Sequence, residues 1–320
     1  MNVPRSIAVL LALLTVGCSS SATTAPTTAP TTSPTTALTT GPNEIVNVWT
    51  NPGSVALTGL PVGDGNVSTS AAATGSVFAC QAGDPNAGGS QVDGPWIHGS
   101  VWDYTAKIHV EGAVSWPSAT FSMTTDATTR TIVTNDLPDR QVTGVFPIAA
   151  TDPAYAYDRN PNGIASQQTT LTLPIVPAAA SAPSCLGSGP IGVLANGVFL
   201  YNALDGPGRD AVAHEAQDVC DGHPSMGDIY HYHEVPGCIR DSTSGESTIV
   251  GWAFDGYPIV VERDAAGNLP NNADLDECHG RTSAVLIDGS ITTTYHYSAT
   301  LEYPYTVGCF HGTQAARVGR

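Results

Sequence analysis

Turn-forming residues interrupt this chain at short intervals, and this feature limits its fold more than any other. Clusters such as Gly63-Asp64-Gly65, Asp84-Pro85-Asn86 and Asn160-Pro161-Asn162-Gly163 separate short apolar stretches, and such clusters mark tight turns. The chain holds 33 glycines and 24 prolines, and between residues 43 and 180 no stretch of useful length has helical periodicity. The sequence therefore predicts a mainly β protein with at most short helices.

Two β-rich regions are expected, one on each side of a small-residue, Pro-rich junction near residue 185. The first, residues 43–185, is predicted to be sandwich-like, and its charged and apolar residues alternate from Lys107 to Glu111 with the period of a strand that has one solvent-facing side. Its predicted strands cover residues 45–50, 54–57, 76–81, 106–114, 120–124, 129–134 and 169–176. The second region, residues 186–320, is predicted to contain a hairpin over 191–201, a short helix from Asp210 to about Cys220, and strands over 228–233, 248–253, 257–262 and 291–297.

Residues 1–17 are typical of a bacterial secretion signal. Arg5 precedes an apolar run from Ile7 to Val16, which is too short to span a bilayer as a helix. The stretch that ends in Gly17-Cys18 resembles the lipobox of bacterial lipoproteins, and this resemblance implies that Cys18 becomes a lipidated N-terminus. Residues 18–42 are rich in Thr, Pro and Ala and predict a disordered tether. We therefore expect an extracytoplasmic lipoprotein that is anchored to the bacterial membrane by lipid alone; secretion is the alternative.

Acidic residues outnumber basic ones, and this imbalance excludes one class of partner. The chain carries 28 acidic and 11 basic residues, a formal net charge of -17, and Lys107 is its one lysine. Such a chain does not bind nucleic acid or an anionic membrane surface by charge. Its electrostatic field instead favours cations.

The cysteines predict disulfide bonds. Setting Cys18 aside for lipid leaves six cysteines, and an even number in an oxidising compartment indicates three disulfides. Several pairings are possible, and short separations with turn-rich intervals decide between them. We predict Cys220–Cys238, Cys278–Cys309 and, as the remaining pair, Cys80–Cys185.

The tetrapeptide Tyr230-His231-Tyr232-His233 is the sharpest local motif. Alternate side chains of a strand share a face, so both imidazoles project from one side, about 6.5 to 7 Å apart at Cα, and can bind one metal ion. His223 lies inside the loop that a Cys220–Cys238 bond would close, and His214 lies on the preceding short helix. We predict a transition-metal site with His214, His223, His231 and His233 as ligands. A strand whose histidines only form surface hydrogen bonds is the alternative.

Carboxylates are expected to assist these histidines, and zinc, copper and iron all suit such a donor set. Asp255 lies in the largely apolar stretch 251–259, where a buried carboxylate must have a partner or a role. Asp255 and Glu215 are the candidate general bases for a catalytic site, and a turn-stabilising role is the alternative for Asp255. Farther along the chain, Tyr295-His296-Tyr297 partly repeats the first histidine strand.

These motifs together resemble the YHYH-domain proteins, a family named for the tetrapeptide at residues 230–233. The similar segments follow in order between Gly192 and Gly312, and include Asn196-Gly197-Val198, Gly208-Arg209-Asp210, His214-Glu215, Asp218-Val219-Cys220, Gly222-His223-Pro224, residues 254–259, Leu275-Asp276-Glu277-Cys278 and Tyr303-Pro304-Tyr305. The family has no established reaction. The resemblance therefore implies a type of domain and no particular activity.

Two other functions compete with metal binding. Tryptophan and tyrosine side chains with Asp and Asn would suit a cell-envelope glycan, and a tether suits display at a surface. In the other alternative the domain is purely structural and its histidines only support loops. The sequence leaves open whether the protein is an enzyme, and the metal content of the purified protein distinguishes the first hypothesis from the other two.

Overall fold

The computed structural model describes residues 57–243 and 247–315. The predicted leader, Cys18, the tether, the strand over 45–50 and most of the strand over 54–57 lie outside these residues. In the described part of the chain, no helix is long and apolar enough to cross a membrane.

Short strands make up most of the regular structure, as predicted. The strands before residue 185 are β1 (Leu60–Pro61), β2 (Val67–Ser68), β3 (Val77–Phe78), β4 (Ile97–His98), β5 (Val101–Trp102), β6 (Val114–Ser115), β7 (Phe121–Thr125), β8 (Thr129–Thr134), β9 (Val142–Thr143), β10 (Thr169–Pro174) and β11 (Ala179–Ser184). Those after it are β12 (Gly192–Leu194), β13 (Phe199–Leu200), β14 (Gly222–Ser225), β15 (Ile229–Tyr232), β16 (Ser247–Ala253), β17 (Pro258–Glu262), β18 (Gly280–Ile287), β19 (Ser290–Ser298) and β20 (Phe310–Gly312). Two α-helices, α1 (Ala211–His214) and α2 (Gly237–Arg240), and three 3₁₀ turns, Tyr104–Ala106, Pro153–Ala156 and Asn272–Asp274, accompany them.

An eight-stranded sheet organises the second half of the chain. Its strand order is β14-β15-β13-β12-β16-β17-β19-β18. The pairs β13–β15 and β17–β19 are parallel, and the other neighbouring pairs are antiparallel. The predicted hairpin over 191–201 forms β12 and β13, because Gly197 adopts the positive φ of 90° that its turn requires.

Smaller sheets precede this large one. Strands β10-β8-β7 and β1-β5-β4 form two three-stranded sheets, while β2–β3, β6–β9 and β11–β20 are two-stranded. The strand predicted over 129–134 is confirmed, and those predicted over 120–124 and 169–176 are confirmed within two residues. A single hydrophobic cluster joins Leu60, Trp96 and Trp102 to Val193 and Ile259, so residues on both sides of residue 185 share one core.

The prediction of a strand over 106–114 with a solvent-facing side is wrong for most of its length. Residues 107–109 and 111–113 are irregular, and the Lys107 side chain is buried. Its ammonium group donates hydrogen bonds to the carbonyl oxygen of Val212 and to Oε1 of Gln217. Because two acceptors compensate for the lost hydration, the charged end enters the protein although alternation placed it in water.

The predicted helix after Asp210 is shorter than expected. Asp210 caps α1 by accepting a hydrogen bond from the backbone N–H of Ala213, and Glu215 already has extended backbone angles. Beyond it, the Asp218 carboxylate accepts the backbone N–H groups of Cys220 and Gly222, and this turn replaces the last part of the predicted helix.

All three predicted disulfides form. Their Cα–Cα distances are 4.9 Å for Cys80–Cys185, 5.4 Å for Cys220–Cys238 and 4.5 Å for Cys278–Cys309. Cys80–Cys185 links the segment after β3 to the residue after β11, and Cys220–Cys238 encloses β14 and β15. Two histidines of the motif and His223 therefore lie between covalently joined residues.

Candidate metal centre

Three histidines converge in the interior of the large sheet. Strands β14 and β15 pair so that His223 lies opposite His231, and His233 follows two residues later on the same face. The Nε2 atom of His233 is 3.1 Å from Nε2 of His231 and 3.1 Å from Nε2 of His223. All three side chains are buried, and their potential ligand atoms lie within 4.8 Å of one another.

The contacts of the Nδ1 atoms of His231 and His233 determine which nitrogen of each ring bears a lone pair. Nδ1 of His231 is 3.2 Å from the carbonyl oxygen of Ile229, and Nδ1 of His233 is 2.5 Å from that of Asn202. A carbonyl oxygen only accepts hydrogen bonds, so both Nδ1 atoms carry the proton of a neutral imidazole. The two Nε2 atoms, 3.1 Å apart, then point lone pairs at each other. A cation between them turns this repulsion into attraction.

A proton is a poor candidate for that cation at neutral pH. Burial holds the pKa of His233 at about 4. Burial, and secondarily the neighbouring His233, lowers the pKa of His231 well below its ordinary value, and burial together with both neighbours does the same for His223. The three rings are therefore neutral near pH 7, which is the form of histidine that binds metals.

Glu215, the residue after α1, contributes a carboxylate to the same place. Its Oε2 atom is 3.3 Å from Nε2 of His223 and 3.4 Å from Nε2 of His233. That oxygen is buried and has no well-aligned hydrogen-bond partner among residues 57–243 and 247–315. Burial, and secondarily the nearby Asp158 and Asp205, raises the pKa of Glu215 well above its ordinary value, so the carboxyl group binds a proton readily until a cation replaces it.

These distances suit direct coordination. Two donor atoms that each lie about 2.0–2.1 Å from one tetrahedral ion are roughly 3.3 Å apart. Four of the donor–donor separations at the cluster are close to this value, at 3.1, 3.1, 3.3 and 3.4 Å, and the histidine ligand atoms all lie within 4.8 Å of one another. The donor set of three imidazoles and one carboxylate matches the ligands that zinc, copper and iron use in proteins.

Contacts from neighbouring residues fix the orientation of the His231 and His233 rings. The Tyr201 ring stacks on His231 with centroids 3.9 Å apart, and the Asn202 carbonyl fixes His233. Sequence reasoning gave neither residue a role at the site, although Tyr201 ends the predicted hairpin and both residues directly follow β13. The parallel pairing of β13 with β15 brings them to the histidines, and no local pattern signals that pairing.

His214, one of the four predicted ligands, faces away from this cluster. Its Nε2 atom is 2.9 Å from a carboxylate oxygen of Asp64, and its Nδ1 atom is 3.0 Å from one of Asp93. The group of three mutually close histidines does not include it. The next residue, Glu215, points toward the imidazoles instead, because α1 ends there and the chain turns.

Asp255, the other candidate base, stabilises a turn. It lies in the turn between β16 and β17, where its carboxylate accepts hydrogen bonds from the Tyr297 hydroxyl at 2.5 Å and from the backbone N–H of Gly312 at 2.9 Å. Oδ1 also accepts the backbone N–H of Tyr257 at 3.3 Å. These contacts correspond to the turn-stabilising alternative.

Comparison with known protein families matches the part of the chain that contains the site. The family model described as YHYH protein matches residues 170–267, which include β12 to β17 and all three clustered histidines. The chain therefore carries a YHYH domain. No curated protein and no solved structure matches it.

Proposed function

We propose that this YHYH domain binds one transition-metal ion through Nε2 of His223, His231 and His233, with Glu215 beside the ion. The main support for this proposal is that the Nε2 atoms of His231 and His233 lie 3.1 Å apart in a buried site and point their lone pairs at each other. The Nδ1 contacts to Ile229 and Asn202 support it, since metal-binding histidines usually donate their other N–H to a carbonyl or carboxylate.

The chain's acidic character supports a cation as the ligand. Its net charge of -17 raises the local concentration of positive ions. Three neutral imidazoles and one carboxylate around a divalent ion leave a single excess positive charge inside the protein, which costs less than an uncompensated ion would. Bound zinc, copper or iron would supply Lewis acidity or redox chemistry at this position.

Metal titration of the purified chain tests the proposal. Protein stripped with a chelator and then dialysed against zinc should retain one ion per chain, and His231→Ala/His233→Ala should retain none. At free zinc one hundred times the Kd, binding adds about 2.7 kcal/mol to the free energy of unfolding, so the melting temperature should rise for the wild type only.

The control for this experiment is His98→Ala, which removes an exposed histidine outside the cluster. This variant should bind zinc as the wild type does. Equal metal content in the wild type and the double variant after exposure to zinc, copper and iron would overturn the proposal.

We further propose that the protein is extracytoplasmic and held on the bacterial membrane by lipid at Cys18. The short apolar run before Gly17-Cys18, the Thr/Pro/Ala-rich segment after it and an even set of six further cysteines support this location. Cys18→Ser should move the protein from the membrane to the soluble fraction. Unchanged membrane retention of that variant would contradict the anchor.

A further inference from the structure

The eight-stranded sheet consists of two four-stranded halves with the same topology. In each half an antiparallel hairpin, β12–β13 or β16–β17, pairs in parallel with a later strand, β15 or β19, whose outer neighbour is antiparallel. The halves meet at β12 and β16, where Gly192 pairs with Ala253, Val193 with Trp252 and Leu194 with Gly251. If Gly192, Val193 and Leu194 exchange places with Gly251, Trp252 and Ala253, in that order, the same three pairs result. The sheet therefore has an approximate internal twofold axis.

The hairpin turns of the two halves are equivalent in detail. Gly197 and Gly256 have φ values of 90° and 92°, and each follows an Asn or Asp residue. Asn196 donates to the Tyr232 hydroxyl at 3.0 Å, and Asp255 accepts from the Tyr297 hydroxyl at 2.5 Å. Each turn is thus hydrogen-bonded to the second tyrosine of the histidine motif in its own half, which lies in β15 or β19.

The turns before the outer strands are equivalent as well. Asp218 accepts the backbone N–H groups of Cys220 and Gly222, and Asp276 accepts those of Cys278 and Gly280. The tyrosine that begins each histidine motif donates its hydroxyl to the same aspartate, Tyr230 to Asp218 and Tyr295 to Asp276. One disulfide of each half begins at the corresponding cysteine, Cys220 or Cys278.

The first histidine of each motif has the same setting. Gly222 pairs with Tyr232 as Gly280 pairs with Tyr297, so His231 and His296 occupy matching positions. Nδ1 of His231 is 3.2 Å from the carbonyl oxygen two residues earlier, and the same distance for His296 is 3.3 Å. Nε2 of His296 must therefore face the counterpart of the metal centre.

A carboxylate occupies that counterpart. The Glu262 carboxylate accepts hydrogen bonds from three side chains. The donors are Nε2 of His296 at 3.1 Å, the Ser298 hydroxyl at 2.5 Å, and the Arg281 guanidinium at 3.0 and 2.8 Å. By strand register, Arg281 and Ser298 stand where the first half has His223 and His233. Although burial opposes ionisation, these hydrogen bonds hold the pKa of Glu262 at about 2.

The two centres are therefore opposite in charge. In the first half three imidazole nitrogens and the Glu215 carboxylate surround a position suited to a cation, and in the second half three donors surround an anion. Glu262 occupies the position that Ala203 has in the first half. Ala203 is buried and its side chain is uncharged, so it puts no carboxylate into the first centre. The backbone arrangement is the same, and three exchanged side chains decide what occupies the centre.

We infer that the sheet is an internal duplication, and that Glu262, Arg281, His296 and Ser298 form a second copy of the metal centre in which a carboxylate–guanidinium pair replaces the ion. This inference rests on the proposed metal site for the nature of the first centre. It assigns one metal ion to each chain, and it states that the second centre becomes a metal site when the three exchanged side chains are restored.

The triple variant Glu262→Ala/Arg281→His/Ser298→His tests this directly, because together with His296 it gives the second half the three histidines of the first. In the full chain, zinc content should rise twofold, from one ion to two per chain. In the His231→Ala/His233→Ala background the same triple variant should retain one ion. The matched control Glu262→Ala/Arg281→Gln/Ser298→Ala removes the carboxylate without adding imidazoles, and should gain no zinc.

The outcomes separate the two proposals. A wild-type chain without bound metal contradicts the proposed function, whereas one ion in both the wild type and a folded triple variant contradicts the duplication of the site. If the triple variant does not fold, the reciprocal Ala203→Glu/His223→Arg/His233→Ser should fold and bind no zinc. Zinc binding by the reciprocal variant, or failure of both exchanged chains to fold, would overturn the equivalence.

Discussion

Glu215 is the residue at which proton and metal binding compete most directly. Its pKa is raised well above the ordinary value because the carboxyl group is buried, and Oε2 lies 3.3 Å from Nε2 of His223. A metal ion at the histidines displaces the proton that this raised pKa retains. Zinc affinity should therefore fall as pH falls through the raised pKa. Calorimetric titrations in buffers of different ionisation enthalpy measure the released proton directly.

A neutral replacement at the same position isolates the contribution of this carboxylate. Glu215→Gln keeps the size of the side chain and removes its charge, so zinc affinity should fall about 10- to 100-fold, the usual effect of losing a group that supports a metal site. Proton release should disappear in this variant. Glu111→Gln, which changes an exposed carboxylate, is the control, and equal affinity in both variants would contradict a role for Glu215.

At the scale of the elements, close packing between β14 and β15 positions His223. A Cβ atom on Gly222 would lie 2.1 Å from the Tyr230 hydroxyl oxygen, and that hydroxyl donates to Asp218 at 2.9 Å. Gly222→Ala should therefore separate the strands, lower the free energy of unfolding by about 1–3 kcal/mol and weaken zinc binding.

Gly187→Ala provides the comparison for this substitution. No atom lies within 4 Å of a Cβ atom added there, so stability should change by less than about 0.5 kcal/mol. Denaturant unfolding with and without zinc measures both variants. Equal stability of the two alanine variants would show that β14 and β15 tolerate a wider spacing.

At the scale of the molecule, the disulfides constrain loops of very different length. Sequence separations are 105 residues for Cys80–Cys185 and 18 for Cys220–Cys238. The chain-entropy model assigns about 5 kcal/mol to the longer loop and about 3 kcal/mol to the shorter. Replacing Cys80 and Cys185 with serine should thus destabilise the protein more than replacing Cys220 and Cys238.

Metal binding should respond in the opposite order. Cys220 lies in the turn that leads into β14, so loss of its bond should lower zinc affinity, while loss of Cys80–Cys185 should not. Unfolding curves and zinc titrations on the two serine pairs check both expectations. A larger loss of affinity in the Cys80/Cys185 variant would contradict this assignment.

The sequence by itself determined the features that depend on neighbouring residues. Strand periodicity places His231 and His233 on one face, an Asn-Gly pair specifies the hairpin at Gly197, and short separations selected two disulfides, which left the third pair. Each of these follows from local backbone geometry, which a motif of a few residues contains.

Only the tertiary structure decided which distant side chains meet. Parallel pairing of β13 with β15 brings Asn202 to His233, and the end of α1 turns Glu215 rather than His214 toward the imidazoles. Lys107 enters the interior because acceptors from a remote segment compensate for its lost hydration. Parallel strand pairing and the burial of charged groups depend on partners far away in the chain, and the periodicity of the local sequence does not predict these partners. For the same physical reason the opposite charges of the two centres emerged only from strand register.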